Sequence, residues 1–301
     1  MRMFVTGANG YIGSAVAAAC SRAGHEVYGL VRSEEKAKRL LAMEINPVIG
    51  SMGGPSTYED VARECEVFIH CAVEYSAQLW ELDRTTIVTA LASAEKGRTR
   101  LFIYTSGVWV YGDTGDAMAD ESSALNLPAM MAPRLDGEQL VLGANRRGLR
   151  TLVLRPGCVY GGRGGLTGGW FDSAVRAGAA RVIGDGGNRW AMIHRSDLAE
   201  AYLRAAESPW GGEVFNLTDR SRFTVAECAR AASHAAGAGG RITVVPLAEA
   251  VASMGPMAEP LAFTQHVDSS KAVRLLGWQP RHGGFVDGVD RYFAAWRAHQ
   301  A

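Results

Sequence analysis

Short apolar runs alternate with longer amphipathic stretches through the first half of the chain. MFVTG (residues 3–7) ends in glycine and leads into YIGSAVAAACSRAG, small-residue text with helical periodicity. HEVYGLVR and SEEKAKRLLAM repeat the pair, NPVIG adds a short third strand, and PSTYEDVAREC with EVFIHCA gives helix and strand again. A long helix is predicted over roughly 76–96, followed by the strand RLFIYTS, a helix over 134–147 and the strand LRTLVLRPG. Strands alternating with helices of ten or more residues require crossover connections, and so a parallel sheet covered on both faces. The near-continuous apolar text of FIH and TLVL fits strands buried on both sides.

After about residue 156 the pattern breaks. YGGRGGLTGG is too rich in glycine for anything but loop, and shorter pieces then intermix: FDSAVRAGAA, ARVIGDGG, SDLAEAYLRAAE, EVFNLTD, TVAECARAASHAAG and ITVVPL. Asp197 and Glu200 have capping-box spacing, which predicts a helix starting there. The expected division is a dinucleotide-binding core over 1–155. Residues 156–301 complete that core and form a smaller substrate lobe. No internal repeat or low-complexity linker interrupts it.

Bulk properties narrow the classes. Lys+Arg and Asp+Glu both count 31 in 301 residues, so the formal charge is zero and no basic excess marks a nucleic-acid or membrane-surface partner. No apolar run approaches the roughly 18 residues of a membrane span. The chain enters a strand at Met3, which leaves no room for a signal peptide. Cys20, Cys65, Cys71, Cys158 and Cys228 form no CxxC pair, and the seven histidines form no HxxxH pair. Reduced thiols in the cytoplasm, and neither a disulfide framework nor a metal site, are the expectation.

VTGANGYIG places Gly7, Gly10 and Gly13 between the first strand and the first helix. That is where a Rossmann-type dinucleotide fold needs glycine: for the tight turn, for close approach to the pyrophosphate and for helix–sheet packing. The alternative, a glycine-rich turn with no ligand, explains neither the strand before it nor the helix after it. Asn9, Tyr11 and Ile12 belong to the same loop. NAD-binding chains usually carry Asp or Glu about 20 residues further on. Here the second strand ends in LVRS, and Arg32 with Ser33 suits a 2′-phosphate. NADP(H) is therefore the expected cofactor, with Glu34 and Glu35 as the opposing observation; an exposed arginine at a helix start is the plainer reading.

The order of TGANGYIG, VFIHCA, YTSGVWVYG, LRPGCVYGG, GDGGNRWAMIHRSDLAEAY and VDSSKAVRLLGWQP resembles the extended short-chain dehydrogenase/reductases, the sugar epimerase and dehydratase group, over nearly the whole chain. The resemblance implies a doubly wound α/β fold and a nicotinamide cofactor across the strand ends. It adds Ala72, Val73, Thr105, Pro156, Gly157 and Val159 to the residues expected beside that cofactor. It also implies a Ser/Thr–Tyr–Lys set, in which tyrosine passes a proton and lysine holds the ribose. Counted onto this chain, those positions fall on Gly107, Met130 and Arg134. The family often forms homodimers through two long helices, here 76–96 and 134–147, where Leu79, Leu82, Ile87 and Leu91 could face either the sheet or a partner.

Glycine has no side chain, a thioether no ionisable proton, and arginine keeps its charge at neutral pH. The usual acid–base relay is therefore absent. Arg134 can still hold ribose hydroxyls and lend positive charge; its plainer reading is a surface arginine. Tyr111, in the loop after the fifth strand, and Tyr75, after the fourth, are the candidate phenols. Ser106 should be turned away by strand alternation and Thr105 should face the site one step deeper. His194 is expected to tie loop to lobe, and Trp109, Trp190 and the 161–169 loop to wall a small-molecule pocket. Two functions follow: an NADP(H)-dependent oxidoreductase acting on a carbonyl or hydroxyl through an unusual proton donor, or an NADP(H)-binding protein without redox turnover, such as a sensor, or a lyase or isomerase using the same pocket.

Overall fold

A computed structural model describes residues 1–300. Seven parallel strands make the central sheet: β1 (Arg2–Thr6), β2 (Glu26–Val31), β3 (Asn46–Ile49), β4 (Val67–His70), β5 (Leu101–Thr105), β6 (Arg150–Pro156) and β7 (Glu213–Leu217). Their spatial order is β3-β2-β1-β4-β5-β6-β7, so the order reverses between β1 and β4. In such a sheet the crevice beyond the strand ends, at the reversal, is where ligands bind. The mixed α/β, Rossmann-type fold expected from the alternation is the one observed. EVFNLTD, read with the lobe, instead supplies the seventh strand, in register with β6 from Glu213 opposite Leu152 to Leu217 opposite Pro156.

Six helices matter for the site: α1 (Gly13–Arg22), α2 (Glu34–Leu41), α3 (Glu59–Arg63), α4 (Leu79–Lys96), α5 (Ala132–Gly143) and, further on, the helix Arg195–Glu207. α1 and Arg195–Glu207 cover one face of the sheet, burying Val16, Ala17, Leu198 and Tyr202 against Val5, Ile69 and Leu154. α3, α4 and α5 cover the other, burying Ala62, Ile87 and Val141 against Phe4, Phe68 and Phe102. Small residues let these helices lie close to the sheet. Ile87 is fully buried on the sheet side, and Leu79 faces a cavity, so neither is free for a partner helix. Proline is tolerated at residue 133 because α5 starts at Ala132, before its missing N–H would be needed.

A second apolar centre, with Tyr160, Trp170, Phe171, Phe285, Tyr292 and Trp296, fills the lobe. Trp190 belongs here: it stacks on Trp170 at 5.0 Å and donates its Nε1–H to the Leu261 carbonyl. It is core, not pocket wall, which corrects the sequence expectation.

Candidate active site

The cleft beyond β1 and β4 has two connected halves, each of about 840 Å³. Both are lined by Ile12, Ala72, Val73, Tyr75, Val159 and Leu166. The first half is built on the glycine turn. Gly7 sits at φ +68°, and a Cβ there would lie 2.9 Å from the Ala72 backbone, so only glycine permits the close crossing of the two strand ends. Gly7, Asn9, Gly10 and Tyr11 line this half in front of the α1 N-terminus, where free N–H groups face outward. Gly13 starts α1 and packs it on the turn. The Tyr11 hydroxyl donates to the Gly161 carbonyl at 2.7 Å, and Arg195 Nε donates to the Tyr11 carbonyl at 2.6 Å, fixing the turn to the lobe.

Arg32 stands at the end of β2 in this half, with Lys36 and Arg39 beside it. The two further cations were not singled out in the sequence, although SEEKAKR places them one and two turns into α2. Arg32 Nη1 lies 3.1 Å from Glu74, and both are exposed. Ser33 does something different from what was expected. Its hydroxyl caps α2 by accepting the Lys36 N–H, and it does not line the cleft. Arg163, from the glycine-rich segment, also enters this half. The lining, an open helix N-terminus with four cations and one carboxylate, Glu74, fits a dinucleotide carrying several phosphate charges.

Arg134, Thr105, Ser106, Gly107, Trp109, Met130, Pro156 and Gly157 line the other half. Arg134 is almost enclosed. Its Nη1 donates to the Tyr104 hydroxyl and the Thr105 carbonyl, both at 3.1 Å, and lies 3.7 Å from Asp83. Its guanidinium also rests 4.9 Å from the centre of the Trp80 ring. Behind it runs a buried chain: Tyr104 donates to Asp83 at 2.6 Å, His70 Nε2 meets Asp83 at 3.1 Å, and Thr6 meets His70 Nδ1 at 2.7 Å. Thr6 also accepts the Ala72 N–H, and the Asp83 carboxylate, which can only accept, takes the proton of His70 Nε2. Burial pushes the Asp83 carboxyl up, but His70, Arg134 and Tyr104 outweigh it and hold it below the usual range. Burial likewise disfavours the Arg134 charge, and Tyr104 with Asp83 more than restores it. Arg134 is a fixed cation at the cavity wall and not a surface arginine.

The phenols divide. Tyr111 is buried, donates to Asn216 at 2.8 Å and accepts from Arg155 at 2.8 Å. The 3₁₀ turn Val108–Tyr111 points it into the protein, so the expectation of Tyr111 as an acid in the site is wrong. Tyr75 is 81% exposed and lines both halves. Thr105 lines the cavity, but its hydroxyl is committed to the His70 carbonyl and to Tyr202, each at 2.6 Å. Ser106 was expected to turn away. It lines the cavity because β5 has ended at Thr105, and its Oγ is buried without a hydrogen-bond partner. At Gly107 an added Cβ would meet nothing closer than the Pro156 carbonyl at 3.8 Å, leaving an open space where the family carries a hydroxyl.

His194, Asp197 and His282 cluster at the base of the lobe. His194 caps the helix Arg195–Glu207 by accepting the Ser196 N–H, and its ring stacks on His282 at 3.5 Å. Asp197 accepts the N–H groups of Arg281 and His282 and contacts the His282 ring at 3.0 Å. The helix thus begins at Arg195, and Asp197 is a buried tie instead of the cap its spacing with Glu200 predicts; Glu200 pairs with Arg204. Asp197 and the Nδ1 atoms of both histidines are held in these contacts, which tie the helix start to the 281–282 segment. Burial, then the neighbouring His282, pushes His194 down to about 4 from 6.5. The neutral ring therefore stabilises the fold above about pH 6.5, and this contribution is lost as pH falls toward 4. A thermal midpoint that falls over this range, with a shallower fall in His194→Asn, is the expected result. Equal slopes in the two proteins would show that His194 does not carry the effect.

Fold and cleft together define a nicotinamide-cofactor protein. Residues 3–218 match the model of the "NAD dependent epimerase/dehydratase family". The chain belongs to that family, within the extended short-chain dehydrogenase/reductases. It is 32% identical over 228 residues (73% of this chain, 68% of the relative) to the 4-hydroxy-2-methyl-3-oxo-4-farnesyl-3,4-dihydroquinoline-1-oxide ketoreductase of Stigmatella aurantiaca. Identity to the ceramide reductase of Caulobacter vibrioides is 29%, covering 96% of this chain and 89% of the relative. A UDP-glucose 4-epimerase structure from Thermotoga maritima superposes with a TM-score of 0.84 at 20% identity, over 100% of both chains, a likeness of fold.

Proposed function

We propose that the protein is an NADPH-dependent carbonyl reductase in which Arg134 takes the place of the family lysine, and Tyr75, from a different place in the chain, supplies the proton that the family tyrosine usually gives. The observation that carries this reading is the enclosed Arg134 guanidinium, fixed by Tyr104, Thr105 and Asp83 at the wall of the cavity. NADPH, held by the glycine turn and the cations Arg32, Lys36, Arg39 and Arg163, would supply hydride chemistry at the carbonyl carbon. Arg134 donates hydrogen bonds, either to the ribose diol or to the developing alkoxide, and its fixed charge needs no reorganisation as negative charge grows. Protonation of that oxygen falls to Tyr75, whose exposed phenol exchanges protons with solvent. Hydride plus proton completes reduction of the carbonyl to an alcohol. Two relatives bearing the names ketoreductase and ceramide reductase support the direction of the reaction.

Arg32, Lys36 and Arg39 around the β2 end support NADPH over NADH. NADPH is expected to bind about 10–100-fold tighter, the range of a charged hydrogen bond to the extra phosphate. Calorimetric titration with each cofactor decides it, and Arg32→Asp should erase most of the difference. Equal affinities in the parent, or an unchanged preference in the variant, would defeat this assignment. The absence of any hydroxyl at residues 107 and 130 favours a second reading, cofactor binding without turnover. Tight NADPH binding with no oxidation of it on any ketone or aldehyde would select that reading.

A further inference from the structure

The geometry points to an uncharged, apolar carbonyl compound, with aromatic or long aliphatic character, as the substrate, and not a nucleotide sugar. The inference deepens the proposed reductase reading and rests on it for the site's location alone. The two halves of the cleft differ sharply in charge. The half built on the glycine turn holds four cations, Arg32, Lys36, Arg39 and Arg163, against one carboxylate, Glu74, which pairs with Arg32. Among the residues lining the other half, Arg134 is the sole charged side chain, and it is already held by Tyr104 and Thr105.

A nucleotide sugar brings a second diphosphate. Taking that group out of water needs several charge-assisted donors, which is why such sites carry arginines, lysines or a helix N-terminus. The substrate half has none to offer beyond Arg134. Its own walls are Trp80, Trp109, Met130, Met131, Pro133 and Met257. Two indoles give broad flat surfaces, and three thioethers give an adaptable apolar lining.

The rim carries the same message. Leu166 is 47% exposed and Met257 36%, both at the mouth of this cavity. Apolar side chains grouped at the mouth of a cavity mark a place where apolar surface is to be covered. Leu166 comes from the glycine-rich segment, where Gly161, Gly162, Gly164 and Gly165 all have positive φ. Its position over both halves lets one side chain contact cofactor and substrate together. The volume, about 840 Å³, is within the usual range for small-molecule sites and exceeds what a nicotinamide ring fills.

The test is binding, measured by calorimetry on the full chain with and without saturating NADP⁺, using 2-acetylnaphthalene as the apolar ketone and UDP-glucose as the charged alternative. The ketone is expected to bind at least about ten-fold tighter than UDP-glucose, and Met130→Lys and Trp109→Ala should each weaken it by about ten-fold. Met130 is a partly exposed residue of the cavity wall, so its variant remains informative if Trp109→Ala folds poorly. UDP-glucose binding tighter than the ketone, or unchanged ketone affinity in Met130→Lys, would overturn the inference. Failure of the reductase reading looks different: the ketone binds and responds to both variants, yet NADPH is not oxidised in its presence.

Discussion

Arg134→Ala is expected to lower kcat/KM for NADPH-dependent ketone reduction by about 10²–10³, the cost of removing one preorganised donor from a developing alkoxide. NADPH affinity should fall by roughly 1–3 kcal/mol if the guanidinium also holds the ribose. Arg134→Lys keeps the charge at the same wall and should retain most of the affinity, although it cannot reproduce the contact with Trp80. Tyr75→Phe should lower the rate by about 10²-fold, at the low end of general acid effects because water can reach the same place. Tyr111→Phe should leave the pH profile unchanged, since that hydroxyl is turned to Asn216 and Arg155. Single-turnover kinetics on the four variants separate these outcomes. An Arg134→Ala protein that binds NADPH and reduces ketone like its parent would end the role given to this residue.

The alternation of strands and helices was legible because a strand covered on both faces leaves a continuous apolar run, which no loop imitates. The glycine turn was legible for a similar reason: a backbone crossing needs glycine in fixed places. What escaped were groups whose partners come from distant parts of the chain. Asp83 reads as one more charge on a long helix, yet it shares a face with Thr86, Ile87 and Ala90, all buried. A carboxylate at the i, i+3, i+4, i+7 positions of an apolar face was the available signal, and it points to a buried partner. His70 and Tyr104 gave none, because polar residues ending a buried strand are ordinary. Tyr111 misled in the opposite sense: it follows the right strand, but one 3₁₀ turn reverses its direction. EVFNLTD could not be assigned to the central sheet because its neighbour in the sheet lies some sixty residues earlier in the chain.

Glu138→Ala is expected to cost about 3–5 kcal/mol of stability, the range for leaving one member of a buried ion pair alone. Glu138 lies on α5, four residues after Arg134, so the two share one side of the helix. Its carboxylate takes two hydrogen bonds from Arg155 on β6, one from Nε at 3.0 Å and a second from Nη2. Neither partner reaches solvent: their side chains are 1% and 4% exposed. The fork geometry fixes the helix to the sheet in rotation as well as distance. Arg155 in turn holds Tyr111, and Tyr111 holds Asn216 on β7, so the pair anchors α5, β6 and β7 at once. Removing the carboxylate leaves the Arg155 charge buried, with only the Tyr111 oxygen to face. Replacing both partners, as Glu138→Leu with Arg155→Met, should recover much of the loss, because the desolvation cost of both charges disappears. Urea unfolding of the parent, the single variant and the double variant measures this directly. If Glu138→Ala costs under about 1 kcal/mol, the pair behaves like a surface bridge and does not anchor the helix. If the double variant is stable but ketone turnover still falls, the pair orients the helix that carries Arg134, a contribution that hydrophobic packing at the same place does not supply.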